Sequence, residues 1–257
     1  MDYLDINQKA WDLRAKVHVE SEFYDVAGFL KGKSSLNPIE LAQVGEVKGK
    51  RLLHLQCHFG QDTLSWARLG AEVTGVDLSS EAIECARGLA EQIGVDARFI
   101  QDDLYRFGDK NQDQFDLVFT SYGALCWLPD LTRWARTVAA ALKPGGQVHL
   151  VEFHPFLDLL SGYPYFPQPE PEVEEEGTYT ENCTGETSTV LTWSHSLSEV
   201  IAALIQAGIV IEEVQEYPFS PYNCFPDLEY VAGQGYQKLF QGQQIPLVYG
   251  IKGRKAA

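Results

Sequence analysis

No two cysteines stand in a C-x-x-C arrangement, and the five present, Cys57, Cys85, Cys126, Cys183 and Cys224, are an odd number. That excludes the paired framework of a small secreted scaffold and the ligand spacing of a structural zinc site, and a reducing cytoplasm is the expected compartment. No apolar run approaches the roughly 20 residues a bilayer span needs, and no charged-then-apolar leader is visible; a soluble protein is expected. Lysine and arginine are missing from residues 144–237, which hold 15 Asp and Glu; residues 1–143 carry 16 basic and 21 acidic side chains, and the last twenty residues carry 4 basic and none acidic. Nearly all of the net charge of −16 therefore sits in one block. Such a surface repels phosphate backbones and anionic lipid, so neither nucleic acid nor membrane is expected as a partner. At 257 residues the chain is long enough to bury one core without disulfide or metal support.

A further scarcity is local. Residues 51–77, RLLHLQCHFGQDTLSWARLGAEVTGVD, read as strand, tight turn, helix and strand, ending on a carboxylate. Asp77 follows Gly60 by seventeen residues, a spacing that suits an acid accepting both hydroxyls of a ribose. Of the three glycines a dinucleotide-binding turn uses, only Gly60 is present; Gln56 and His58 occupy the other two places. Pyrophosphate needs bare backbone N–H groups at a helix N-terminus, so a turn crowded by Gln56, His58 and Phe59 points to an adenosine ligand without a diphosphate, with S-adenosylmethionine the foremost candidate.

The rest of the chain keeps the same rhythm. Residues 1–30 carry apolar residues at helical spacing and read as two helices; Trp11, Arg14, His18 and Tyr24 decorate an arm that either anchors to the core or folds back as a lid. Asn37 and Pro38 start a helix, as N-cap and first helical residue. After Asp77 and Leu78 a serine-capped helix runs to Gly94, residues 97–100 form a third strand ending at Asp102, Asp103 and Leu104, and residues 115–120 form a fourth, leading into Ser121, Tyr122 and Gly123. A helix over residues 131–142 is expected to stop in a left-handed cap at LKPGG, before strand five at residues 147–153. Strand alternating with helix indicates a parallel sheet covered on both faces, with ligands at its carboxyl edge. Residues 162–187 are rich in Pro, Glu and Tyr and read as an insertion, with residues 185–193 as one strand of a small cap. The glutamates of residues 170–176 read either as a solvated acidic loop or as part of the site. A capped helix over residues 196–207 and two last strands, separated by a second insertion, complete the chain.

Taken together, LLHLQCHFG, VTGVDLS, RFIQDDL, FDLVFTSYGALCWLPD and LKPGG resemble the class I S-adenosylmethionine-dependent methyltransferases, in particular the small-molecule branch similar to the ubiquinone/menaquinone-type enzymes. The resemblance covers roughly residues 37–155 and 190–217 plus the final strand. It implies a doubly wound, mostly parallel, seven-stranded Rossmann-like sheet with an antiparallel end, preceded by a helical lid over residues 1–48; the core is residues 49–257, with cap insertions at about 156–192 and 218–244. It further implies Asp77 and Leu78 at the ribose, Asp103 and the Leu104 backbone at adenine, and Ser121 and Tyr122 beneath the methionine portion, with S-adenosylmethionine as cofactor. Relatives of this type have glycines where Gln56 and His58 stand and an acid where His54 stands, so Gln56, His58, Trp11 and Arg14 are the candidates to replace the usual contacts, beside Gly60.

A sulfonium is already an activated leaving group, so the protein mostly positions its substrates. A base is needed only if the nucleophile arrives protonated. His154, after strand five, and His195, between cap and helix, are the candidates, with Tyr24 as a third; each histidine is alternatively a hydrogen-bonded structural residue. His54 and His149 read as packing residues. Tyr24, Trp127, Tyr179, Trp193, His154 and His195 form the expected substrate wall. Glu152, His154 and His195 could compose a metal set, but their spacing matches no ligand signature and no metal is expected. Acid and aromatic residues without Lys or Arg favour an amine acceptor; O- or C-methylation of a small aromatic or acid is the alternative. A nicotinamide-dependent oxidoreductase and a non-catalytic nucleoside-binding protein are the other classes.

Overall fold

The computed structural model describes residues 2–223 and 225–256; Cys224 lies outside the described residues, and the other four cysteines are free thiols. The chain opens with α1 (Tyr3–His18), α2 (Val26–Leu30) and α3 (Pro38–Val44). It then alternates β1 (Arg51–Leu55), α4 (Gln61–Arg68), β2 (Glu72–Asp77), α5 (Ser80–Ile93), β3 (Arg98–Gln101), α6 (Leu104–Lys110), β4 (Phe115–Ser121), α7 (Leu131–Ala141) and β5 (Leu142–Phe153). After these come α8 (Phe156–Leu160), β6 (Glu172–Glu176), β7 (Ser188–Thr192), α9 (Leu197–Gln206), β8 (Ile209–Tyr217), four short strands within residues 229–244, and a final strand, β13 (Val248–Lys255).

Seven strands form one sheet in the order β3-β2-β1-β4-β5-β13-β8. β1 to β5 pair in parallel, and β13 slots antiparallel between β5 and β8. Strands covered on both faces carry apolar residues at successive positions, and in β1 Leu52, Leu53 and Leu55 are all fully buried. Alternation sends them to opposite layers. Leu53, Leu55 and Val118 pack with Trp134 and Val138 of α7 and Val200 and Leu204 of α9. Leu52, Leu117 and Phe119 pack on the other side with Trp66 of α4 and Val44 of α3. Ser79 caps α5 by accepting from the Ala82 N–H at 3.0 Å, and Ser196 caps α9 by accepting from the Glu199 N–H at 3.2 Å; Gly94 ends α5 in the left-handed region at φ 65°.

Two local expectations are corrected and a third is refined. α7 stops in extended backbone at Leu142 rather than in a glycine cap, because Leu142 already pairs with Phe115; Gly145 at φ 76° instead serves an irregularity in β5 before Gln147 pairs with Leu117. Asn37 holds the N-cap position of α3 ahead of Pro38, as expected, but its side chain makes no capping hydrogen bond; its amide donates instead to Glu40 Oε1 at 3.1 Å and to the Tyr222 hydroxyl at 2.8 Å. The acidic run is not a loop: Glu172–Glu176 is a strand paired antiparallel with β7. Its carboxylates find partners in Arg14, the Tyr163 hydroxyl and the Thr189 hydroxyl, which lowers the repulsion that would keep it unpaired.

Neighbouring strands lie about 4.8 Å apart, so the carboxyl ends of β3, β2, β1, β4 and β5 make a row about 19 Å long. Among the described residues no helix is long and apolar enough to cross a membrane.

Candidate active site

Along that row the segments leaving the strands line one cavity of about 610 Å³: Asp103 and Leu104 after β3, Asp77 and Leu78 at β2, residues 56–62 after β1, residues 121–128 from β4, and Glu152, Phe153 and Asp158 from β5. The β1 turn is the most constrained part. Gln56 at φ 56°, His58 at φ 51° and Gly60 at φ 78° are all left-handed. Only glycine adopts that backbone freely, so Gln56 and His58 each cost about 1–2 kcal/mol of conformational strain. Gly60 is fixed by space as well, since a Cβ there would lie 2.7 Å from the Phe99 ring.

This turn orients the carboxylate opposite. The His58 N–H donates to Asp77 Oδ2 at 2.7 Å and the Ser79 N–H to Oδ1 at 2.9 Å, leaving each oxygen a further lone pair toward the cavity. Burial pushes the Asp77 carboxyl up to about 6, against the pull of those N–H groups. Gln56 donates from Nε2 to the Ala124 carbonyl at 2.7 Å, while its Oε1 is buried with no partner among the described residues. Asp103 uses one carboxylate oxygen to cap α6 through the Arg106 N–H at 2.9 Å. His54 meets the Thr63 hydroxyl at 2.8 Å and is pushed down to about 3 by burial.

α1 and the β6–β7 hairpin cover the cavity. The Arg14 guanidinium lies 5.3 Å from the Trp11 ring centre and 5.2 Å from that of Trp127, and donates to Glu176 Oε1 at 2.5 Å and to the Gly177 carbonyl at 3.1 Å. His18 Nδ1 lies 2.9 Å from His58 Nε2, and its Nε2 meets the Thr178 hydroxyl. Burial, helped by Arg14, pushes His18 down to about 3; burial, His18 and Arg14 hold His58 well below its ordinary value, so both rings are neutral. Their contact joins α1, hairpin and turn. Asn7 reinforces it from α1, donating to the Leu191 carbonyl at 2.8 Å and accepting from the Leu191 N–H at 2.9 Å. Asp12 accepts from the Ser79 hydroxyl at 2.7 Å and the Glu81 N–H at 3.2 Å, at the positive end of α5.

Of the residues singled out in the sequence, Trp11, Arg14, Tyr24, Gln56, His58, Gly60, Asp77, Leu78, Asp103, Leu104, Ser121, Tyr122, Trp127, Tyr179, Trp193 and His195 all line the cavity. The Tyr24 and Tyr179 hydroxyls meet each other. Trp127 donates to the Gly123 carbonyl at 2.8 Å, and the Trp193 ring meets Tyr3 edge-on at 5.3 Å. His154 is a correction: it does not line the cavity. Its N–H continues the sheet to the Leu247 carbonyl, Nδ1 accepts from the Phe156 N–H at 3.1 Å and Nε2 lies 2.8 Å from Glu216 Oε1. His195 reaches the wall, but both ring nitrogens are engaged by the protein, with Glu199 Oε2 at 3.0 Å and the Leu128 carbonyl at 2.8 Å, rather than turned to the cavity. Glu152 is spent on the backbone N–H groups of Gly123, Ala124, Leu125 and Phe153. No group of three or more His, Cys, Asp or Glu among the described residues could hold a metal ion.

Three wall carboxylates were not singled out, of which Asp25 is paired with Lys33 at 2.8 Å. Asp62, on the first turn of α4, accepts from the Ser121 hydroxyl at 3.3 Å and is held up by burial. Asp158, on α8, accepts no hydrogen bond at its carboxylate among the described residues, and burial followed by the Glu152 charge pushes it up to about 6. Asp62 had a signal in its place beside Gly60; Asp158 sits in an otherwise apolar helix and had none.

A family model described as a methyltransferase domain matches residues 52–146. The ubiquinone biosynthesis O-methyltransferase of Proteus mirabilis is 32% identical over 156 residues, 56% of this chain and 63% of the relative; that of Aeromonas salmonicida is 32% identical over 136 residues, 51% and 57%. The chain thus spans less than two thirds of these relatives' length. Among solved structures, an S-adenosylmethionine-dependent methyltransferase from Mesorhizobium loti matches with a TM-score of 0.57 at 25% identity, over 88% of this chain and all of that one. The complex of DhpI with SAH, at 18% identity, shares the fold with a TM-score of 0.59 over 99% and 97% of the two chains.

Proposed function

The chain belongs to the class I S-adenosylmethionine-dependent methyltransferase superfamily, and from that premise we propose that it transfers a methyl group to a small-molecule acceptor, at an amine nitrogen. The residues present suit the cofactor. A cavity of about 610 Å³ falls within the roughly 300–1,000 Å³ of small-ligand sites. Asp77 keeps two lone pairs for a pair of ribose hydroxyls, Asp103 and the Leu104 backbone suit an adenine edge, and the unpartnered Gln56 Oε1 suits the methionyl ammonium. When bound, the sulfonium supplies an electrophilic methyl carbon on a ready leaving group.

The remaining work falls to this chain's own residues. Trp11, Arg14 and the hairpin exclude water, which strengthens every charge interaction inside. Ser121, Tyr122 and the aromatic wall hold the acceptor against the β4–β5 end of the row. An ammonium must lose its proton before its lone pair can attack, and Asp158, a wall carboxylate that accepts no hydrogen bond among the described residues, takes that proton.

The observation carrying the amine reading is the charge of the wall. Its only Lys and Arg side chains among the described residues are Lys33 and Arg14, each paired with an acid, Asp25 at 2.8 Å and Glu176 at 2.5 Å. An anionic acceptor finds no free cation there. Oxygen methylation is the second reading, favoured by the relatives named O-methyltransferases. Incubation with S-adenosylmethionine and matched panels of amines, phenols and carboxylates, followed by release of S-adenosylhomocysteine, separates the two. Turnover of amines is expected; turnover of phenols or carboxylates alone supports the second reading and overturns the amine one.

A further inference from the structure

We propose that the β4–β5 half of the cavity is an aromatic cage for a methylated ammonium group, an inference that rests on the methyltransferase reading and names the acceptor chemistry more closely. The cage is assembled from segments far apart in the chain. Phe23 and Tyr24 come from the linker between α1 and α2, Tyr122 from the end of β4, Phe153 from the end of β5, Tyr179 from the hairpin and Tyr222 from the second insertion, and all six line the one cavity. Ring centres lie 5.5 Å apart for Phe23 and Tyr179, 5.6 Å for Phe23 and Tyr222, 5.0 Å for Tyr122 and Tyr222 and 5.4 Å for Tyr122 and Phe153. The Tyr122–Tyr222 planes meet at 86° and the Phe23–Tyr179 planes at 68°. The Tyr122–Phe153 planes are tilted by 48° and the Phe23–Tyr222 planes by 33°, so two of the four contacts form corners and none is a parallel stack.

Charge behind the rings has one sign. Asp62 lies beside Ser121, and Glu40, fully buried on α3, is tied through Asn37 to the Tyr222 hydroxyl. Glu40 Oε2 has no partner among the described residues. Burial first, and then the charges of Glu40 and Asp62, hold the Tyr122 and Tyr222 hydroxyls well above their ordinary range. A primary ammonium presents three N–H donors that each want an acceptor. Ring faces offer electron density without a directed lone pair, and so match a cation in which all but one of the N–H groups have been replaced by carbon; the last proton leaves to Asp158, and the freed lone pair forms the new N–C bond as the methyl carbon parts from sulfur.

Calorimetric titration of the full chain, first saturated with S-adenosylhomocysteine, tests the cage with tetramethylammonium and choline as probes and 3,3-dimethylbutan-1-ol as the uncharged shape match. Both cations are expected to bind at least ten-fold tighter than the alcohol, Tyr222→Leu to weaken them at least ten-fold, Tyr222→Phe to retain them within about three-fold, and Asp62→Asn to weaken them. S-adenosylhomocysteine affinity of Tyr222→Leu serves as the check that the variant is folded; should it fail, Phe23→Leu replaces it. Equal binding of cation and alcohol, unchanged cation binding in the leucine variant, or no cation binding by protein that holds S-adenosylhomocysteine overturns the cage and leaves the methyltransferase reading standing. Failure of the wild-type chain to bind S-adenosylhomocysteine overturns that reading instead.

Discussion

Asp77 concentrates the chemistry of the cofactor end in one side chain. It must be ionised to accept two hydroxyls, yet burial holds it up to about 6 from an ordinary 3.8. A carboxyl raised in the fold binds its proton more tightly there than in the unfolded chain, so its contribution to stability grows as pH falls from about 6 to 3.8 while its ability to bind ribose shrinks. S-adenosylhomocysteine affinity is therefore expected to be level above pH 7 and to fall by up to about ten-fold per unit below 6, with Asp77→Asn weak and level throughout; calorimetry at pH 5, 6 and 7.5 reads this directly. Asp158 is tested separately. Asp158→Asn is expected to lower kcat by about a hundred-fold or more without changing S-adenosylhomocysteine affinity, whereas His154→Ala, outside the cavity, should lower kcat by less than three-fold.

At the scale of elements, α1 and the β6–β7 hairpin form the cover, and Arg14 is their fastening. Glu176 is 45% exposed, so the ion pair itself contributes up to about 1 kcal/mol, with the guanidinium's contacts to the Trp11 and Trp127 rings adding about 1–2 kcal/mol. Arg14→Ala is expected to lower Tm by about 4–8 °C and to speed hydrogen exchange over residues 172–192; unchanged exchange there would mean that the hairpin closes without α1. Arg14→Lys should restore little, since a compact ammonium cannot stack as a planar guanidinium does. None of this was readable locally: Arg14 and Glu176 are 162 residues apart, and five acids in seven residues look like a solvated loop until the partners of each are known. Glu40 was hidden for the same reason, a carboxylate on a short helix tied through Asn37 to Tyr222 of the second insertion. His154 was placed correctly after β5 but turned wrongly, because its backbone continues the sheet to Leu247 and carries the ring away from the cavity.

For the molecule as a whole, what the sequence revealed was the part governed by short-range rules. Alternating strand and helix, the capping serines, Gly60 and Asp77 are each fixed by neighbours within about twenty residues, and they appear as expected along the carboxyl edge. Gln56 and His58 stood out as departures, and their left-handed backbones show what the departure costs; His58 joins turn to α1 through His18, and Gln56 Oε1 is left without a partner among the described residues. Long-range closure supplied the rest, bringing residues from the arm and both insertions over β4 and β5. The most direct measurement is calorimetric titration of the wild-type chain and Asp77→Ala with S-adenosylhomocysteine and with NAD. Micromolar binding of S-adenosylhomocysteine to the wild type, weakened at least thirty-fold by the substitution, with no binding of NAD, is the expected result. Tight NAD binding, or S-adenosylhomocysteine binding indifferent to Asp77, would contradict it.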